Sequence, residues 1–293
     1  MPAAKLPPDL RHERVEINGI AMHYVEAGSG EPVVFLHGFP ESWYSWRHQI
    51  AALAPHFRVI APDQRGYSET EKRGPYDTDT LQEDILALVR HLGGGPAHIV
   101  AHDWGGAIAW LLAIHHPEAV RSLTICNLPH PALMQRALRR SFRQLRRSWY
   151  MFAFQLPLLP QRVLAARNYH WLARNLINDC RPGTFTREDM KEILASWRRQ
   201  GLDGGVNWYR ALFRHPRRLP EPVPVIEAPT LVIWGEEDQF LGKELTEGTG
   251  DYVRDLEIHF LPGVSHWVQQ EEPATVNRLL LAHLEKARAR GGP

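Results

Sequence analysis

"VAHDWGGAIAW", Val100 to Trp110, sets an aspartate among small residues, between an apolar stretch and a long apolar run. The "AHIV" that leads into it is short and carries β-branched Ile99 and Val100, which predicts a buried strand. The "GGAIAWLLAIHH" that follows predicts a helix. Ala101 stands two before the apex, Gly105 two after it, and Gly106 and Ala107 come next. Strand, sharp turn and helix with such small neighbours make a strained elbow that lifts the apex side chain, Asp103, clear of the backbone.

Outward from this elbow, strand and helix patterns alternate. "RVEINGIAMHYVEAGSGEP" holds two alternating runs around Asn18-Gly19, a hairpin signal that implies an antiparallel start. "PVVFLHGF" and "FRVIAPDQRGYS" are continuous apolar runs suited to strands covered on both faces. "SWYSWRHQIAALAP" and "DTLQEDILALVRHLGG" have helical spacing, the second with a cap expected at Asp79 or Thr80 and a stop at glycines. Such alternation predicts an α/β fold with a mostly parallel sheet. From 130 to 222 the pattern changes to helical periodicity rich in Arg, Trp, Leu and Phe, with no convincing strand. The α/β pattern resumes at "APTLVIWGEEDQF" and "LEIHFLPGVSHW" and closes with the helix "EEPATVNRLLLAHLEKARAR". The expected division is therefore a core of 1–129 and 223–293 with a helical insertion at 130–222. Inside the insertion, "QRALRRSFRQLRRSW" sets Arg136, Arg139, Arg140, Arg143 and Arg147 along one face, with Leu138, Phe142, Leu145 and Trp149 largely opposite. That pattern predicts an amphipathic helix with a solvated basic face.

Composition narrows the function classes. With 34 basic and 33 acidic side chains the net charge is +1, so no global field recruits nucleic acid or an anionic membrane. Cys126 and Cys180 form neither a C-x-x-C pair nor a cluster with histidine, so a reducing compartment and no metal site are expected. The start, "MPAAKLPPDLRHERVEI", has no apolar signal core, and no stretch approaches the roughly 20 apolar residues of a membrane span. The expectation is a cytoplasmic protein, monomer or homodimer, with a small neutral molecule as its partner.

"HGFPESWYSWR", "DQRGYSET", "HDWGG", "NLPHP", "NWYR", "WGEEDQF" and "GVSHW", in this order between residues 37 and 267, resemble the motifs of epoxide hydrolases of the α/β-hydrolase fold. The resemblance implies an eight-stranded, mostly parallel sheet with a helical cap inserted above the site. It also implies conversion of a small apolar epoxide to a vicinal diol with no metal or cofactor. An ionised carboxylate at the elbow suits this chemistry, because it can attack a saturated carbon directly and form an alkyl-enzyme ester. A histidine is then free to activate the water that cleaves the ester. The resemblance places that histidine at His266, in "PGVSHW", and singles out Asp238 among Glu236, Glu237 and Asp238 as its acidic partner. Relatives that carry the acid after the strand "SLTIC" differ here, where the residue is Asn127.

Two backbone donors are needed for the ester oxyanion. Trp104 follows the nucleophile, and in "HGFP" Pro40 has no N–H, which leaves Phe39. Two tyrosines match cap positions, Tyr150 in "SWYMFAFQ" and Tyr209 in "NWYRALF", as proton donors to the departing alkoxide. The expected substrate contacts are His37, Pro40, Trp149 and Trp208; the tryptophans as a group, Trp149, Trp171, Trp197 and Trp208 among them, are expected mostly in the cap core, with some lining an apolar pocket. Two other readings compete. A dehalogenase shares the Asp nucleophile but needs a halide cradle, for which Trp104 and a cap tryptophan are the candidates. A receptor or scaffold on the same fold has no need of the full set of two aspartates, histidine and two tyrosines.

Overall fold

The structure is a computed structural model that describes residues 4–290. Eight strands, β1 (Arg11–Ile17), β2 (Ile20–Ala27), β3 (Pro32–Leu36), β4 (Arg58–Pro62), β5 (Ala97–His102), β6 (Val120–Cys126), β7 (Thr230–Gly235) and β8 (Leu256–Leu261), form one sheet in the order β1-β2-β4-β3-β5-β6-β7-β8. Only β2 runs against the others, pairing antiparallel with both β1 and β4. The β1–β2 turn is Asn18-Gly19 with φ of 45° and 76°, the two positive values such a tight hairpin turn needs.

The sheet is covered on both faces. Along β3, Val33 and Phe35 join a core with Trp46, Ile50, Leu280 and Leu284, while Val34 and Leu36 join a second core with Leu81, Ile85, Ile108 and Trp110. This period-two split explains why the strand reads as an unbroken apolar run. The first core is roofed by α1 (Arg47–Leu53) and α11 (Pro273–Arg290), the second by α2 (Thr78–His91) and α3 (Trp104–His115). Helix α2 starts earlier than expected. The Asp77 carboxylate accepts from the Thr80 N–H and hydroxyl, both at 3.0 Å, so Asp77 rather than Asp79 or Thr80 is the cap.

Between β6 and β7 the chain builds six helices, α4 (Pro131–Arg140), α5 (Phe142–Arg147), α6 (Trp149–Ala153), α7 (Leu159–Asp179), α8 (Arg187–Gln200) and α9 (Asp203–Arg214), and no strand among the described residues. A short helix α10 (Val268–Glu271) precedes α11. Buried polar ties fasten the inserted helices to the core. The Trp208 indole donates to the Arg65 carbonyl at 3.1 Å, and the Arg47 guanidinium, fully buried, meets Asp189 at 2.7 Å. The single amphipathic helix expected over the arginine-rich stretch is absent. Extended backbone at Ser141 (φ −110°, ψ 105°), whose hydroxyl caps the Gln144 N–H, breaks it into α4 and α5. Phe142 is left 80% exposed and Trp149 64% exposed, so the expected apolar side is not packed away. No described helix is long and apolar enough to cross a membrane.

Candidate active site

The ends of β3, β5, β6, β7 and β8 bring together the loops that carry the predicted residues, the edge where open α/β sheets place their sites. Asp103 follows β5 with φ 49° and ψ −123°, a conformation unfavourable to any residue with a side chain. The small neighbours make it possible. A Cβ on Gly105 would lie 2.3 Å from the Leu36 carbonyl oxygen, and one on Gly38 would lie 2.4 Å from the Asp103 Cβ. The loop after β3 thus sits directly against the elbow, and the Phe39 N–H donates to Asp103 Oδ1 at 2.8 Å. The Asp103 side chain still reaches the cavity, although the residue is only 8% exposed.

His266, in the loop after β8, bridges the two aspartates. Its Nδ1 lies 2.7 Å from Asp238 Oδ2 and its Nε2 3.6 Å from Asp103 Oδ2. A carboxylate can only accept, so Nδ1 carries a proton and Nε2 is the atom that faces Asp103. Asp238 is itself held by four donors. Oδ2 accepts from His266 and from Asn127 Nδ2 at 2.7 Å, and Oδ1 accepts from the Phe240 and Leu241 N–H groups at 2.7 and 2.9 Å.

The charges follow from this arrangement. Burial alone would lower the His266 pKa, but Asp238 and Asp103 together raise it well above the ordinary histidine value. Burial likewise works to raise Asp103, yet His266, the more distant His102 and the Phe39 N–H hold it below the ordinary carboxylate value. Both shifts favour an imidazolium flanked by two carboxylates.

Across the same cavity stand Tyr150 on α6 and Tyr209 on α9. Burial, reinforced by the charge of Asp103, pushes both phenols well above the usual tyrosine value. Both shifts keep the phenols protonated near neutral pH. Tyr209 packs edge-on against Phe39 and Trp104. The cavity they bound measures about 610 Å³ and is walled by aromatic and aliphatic side chains such as Phe154, Trp171 and Phe240.

Of the other expected contacts, Pro40 and Trp149 line this cavity, and His37 and Trp208 do not. His37 is fully buried behind the wall, with Nε2 accepting from the Gln64 N–H at 3.0 Å and Nδ1 against the Gly38 carbonyl. Trp208 lies behind Trp104 with its indole N–H taken by Arg65. Both shape the loops that bear the site, and neither reaches its space. Three polar residues were not anticipated in their observed roles. Asn127, read only as a departure, orients Asp238 and also accepts from the Gly235 N–H at 3.0 Å. His102 donates from Nε2 to the His266 carbonyl at 3.0 Å and turns Nδ1 to Glu41 at 2.9 Å. A histidine ending an otherwise buried strand, and a glutamate just past "HGFP", were the available signals, since buried polar groups need partners.

A family model described as alpha/beta hydrolase fold matches residues 31–273. The chain is 39% identical over 278 residues to the AB hydrolase superfamily protein YfhM of Bacillus subtilis, covering 92% of this chain and 96% of that one. It is 37% identical over 285 residues to Epoxide hydrolase 4 of Homo sapiens, covering 93% and 78%. The crystal structure of Bacillus megaterium epoxide hydrolase in complex with an inhibitor superposes with a TM-score of 0.87 at 33% identity, covering 93% of this chain and all of that one. This chain therefore belongs to the epoxide hydrolases of the α/β-hydrolase fold family.

Proposed function

We propose that the chain hydrolyses an apolar epoxide to a vicinal diol in two steps through an ester on Asp103. In this reading residues 1–129 and 223–293 carry the nucleophile, base and acid, and residues 130–222 act as the cap that supplies the proton donors. An Asp103 oxygen attacks a ring carbon from behind, the carbon–oxygen bond breaks, and the departing oxygen takes a proton from Tyr150 or Tyr209. The imidazolium of His266 then gives up its Nε2 proton, which refills the tyrosine, and the freed Nε2 takes a proton from water as that water attacks the carbonyl carbon of the ester. The oxyanion is met by the N–H groups of Phe39 and Trp104, the ester bond breaks as the proton of the added hydroxyl passes to the departing oxygen, and the diol leaves with the Asp103 carboxylate and the imidazolium restored.

The observation that carries this reading is the buried phenol of Tyr209 and the half-buried phenol of Tyr150 facing the same cavity as the carboxylate. An alkoxide is too basic to leave unaided, and two neutral donors suit it. A halide needs no proton and prefers a cradle of free N–H groups. The indole N–H groups of Trp208, Trp197 and Trp267 are engaged by Arg65, Pro40 and Asp179, which leaves Trp104, Trp149 and Trp171 as the cavity-lining indoles that a halide cradle could use.

The test is a single turnover of styrene oxide in ¹⁸O-water with enzyme in excess. The diol should be mostly unlabelled, and the peptide containing Asp103 should gain the label. Label in the first-turnover diol with none in the peptide would make Asp103 a general base and discard the ester route.

A further inference from the structure

Charge is sorted along this chain. Residues 130–178 hold nine arginines and no lysine, aspartate or glutamate, while the remainder holds 25 basic and 33 acidic side chains. The net charge of +1 therefore conceals a stretch of formal charge +9 set against a body of −8. Eight of the nine arginines, all but Arg147, are exposed. Only Arg143, 3.9 Å from Glu244, has an acidic partner among the described residues.

Exposed apolar surface is sorted the same way. Of thirteen large hydrophobic side chains that stand exposed, ten lie between Phe142 and Ile177. Phe142, Leu145 and Trp149 recur at spacings of three and four along α5 and into α6, with Arg143 and Arg146 exposed beside them. Trp149, Leu156, Leu159, Val163 and Trp171 are exposed and also line the cavity above Asp103, so they form its rim. Arg139 and Arg140 stand at the mouth of a second cavity that reaches the same aspartate. Apolar surface gathered in one place in this way marks an interaction surface.

We propose that this face of the inserted helices docks on an anionic phospholipid bilayer, lying on the surface without crossing it, with the rim of the first cavity turned toward the headgroups. Guanidinium forks match phosphate and carboxylate headgroups in shape and charge. Tryptophan, phenylalanine and leucine rest at the boundary between headgroups and acyl chains, and long basic side chains reach back to the water. The charge sorting also orients the molecule, because an anionic leaflet draws the arginine face and repels the acidic body. Other occupants fit less well. A second copy meeting this face across a two-fold axis would set arginines against arginines. A nucleic acid would engage the arginines and leave Phe142, Leu145 and Trp149 in water.

The experiment sediments the whole chain with vesicles of phosphatidylcholine, with and without phosphatidylserine, over a range of salt. Binding is expected to the phosphatidylserine vesicles and to weaken as salt rises. Each arginine near such a surface contributes roughly fivefold, so Arg143→Gln with Arg146→Gln should weaken binding roughly 10–25-fold. Phe142→Ser with Leu145→Ser keeps every charge and lines neither cavity, and it should weaken binding too. Lipids brominated on their acyl chains should quench part of the tryptophan emission, and Trp149→Phe with Trp171→Phe should remove that quenching. No binding, equal binding to both kinds of vesicle, or binding that ignores the serine substitutions overturns the proposal. So does a dimer, formed without lipid, that the serine substitutions split into monomers, since this face would then belong to a second copy. None of these measurements uses a substrate, so their failure is distinct from failure of the epoxide reading.

Discussion

Replacing Asp238 by asparagine changes one atom in a site where every neighbour is a donor. Asp238 accepts from His266 Nδ1, Asn127 Nδ2 and the Phe240 and Leu241 N–H groups, which uses all four of its lone-pair directions. An asparagine must turn its NH₂ toward two of them. The least costly choice keeps the oxygen on the two backbone groups and points the NH₂ at His266 and Asn127. His266 can then accept only by moving its proton to Nε2, the nitrogen that the proposed route needs free to take a proton from water. The same tautomer error in a serine-protease triad costs about 10⁴ in kcat with geometry intact, so ester hydrolysis should slow about 10³–10⁴-fold. On the proposed route alkylation would use Asp103 and the tyrosines and should slow far less. One donor left facing another costs about 1–3 kcal/mol, a fall in Tm of roughly 2–10 °C. Single-turnover quench with intact-protein mass reads both steps: the alkyl-enzyme should accumulate at a rate within about tenfold of wild type while diol release stalls. Diol release at the wild-type rate would show that the Nδ1 proton is dispensable. Equal loss in both steps would give Asp238 a role in the first step that the geometry does not supply.

Tyr209→Phe should slow alkylation, and the double change with Tyr150→Phe should remove most of the roughly 10²–10⁴-fold that a positioned acid supplies, read as the rate of ester formation. Undiminished alkylation in the double variant would revive a leaving group that needs no proton. Gly38→Ala should abolish ester formation in a chain that still folds by circular dichroism, because the new Cβ would lie 2.5 Å from Asp103 Oδ1; wild-type turnover would mean that the elbow is not so tightly held. For pH, ester formation removes the Asp103 charge that helps raise the His266 pKa, so the imidazole becomes easier to deprotonate when its base form is needed. Ester hydrolysis should therefore rise with pH through a midpoint below the His266 titration of the resting enzyme, followed by imidazole NMR. In Asp103→Asn, where that charge is also missing, the resting titration should itself move down, and no movement would mean that Asp103 does not hold the proton there.

The elbow was legible because its causes are local. A buried strand, an apex held at positive φ and flanking residues without bulk are all written within a few positions of Asp103. The hairpin and the strand–helix alternation were legible for the same reason. What failed depended on distant neighbours. His37 and Trp208 have the chemistry of substrate contacts, yet their nitrogens are claimed by Gln64, Gly38 and Arg65, partners that sequence spacing cannot reveal. The arginine-rich stretch kept a perfect helical period, but a single serine with a competing side-chain bond ended the helix inside it. Its apolar residues then came to the surface, and its arginines to the mouth of a cavity.

Asn127 shows how a departure in sequence can be half of a constraint whose other half lies elsewhere. Its position at the end of β6 puts Nδ2 2.7 Å from Asp238 Oδ2, while its own Oδ1 receives the Gly235 N–H at the end of β7. The amide thus spans two adjacent strand ends and gives a proton to the acid on one side while taking one on the other. A carboxylate in its place could serve Gly235 but would bring a second negative charge against Asp238. Two carboxylates that close cannot both stay ionised, and the one that kept its proton would lose its hold on the imidazole. With the acid after β7, the end of β6 has to donate. Asparagine does so without losing the bond to Gly235, and the absence of an acid at 127 and its presence at 238 are one electrostatic arrangement.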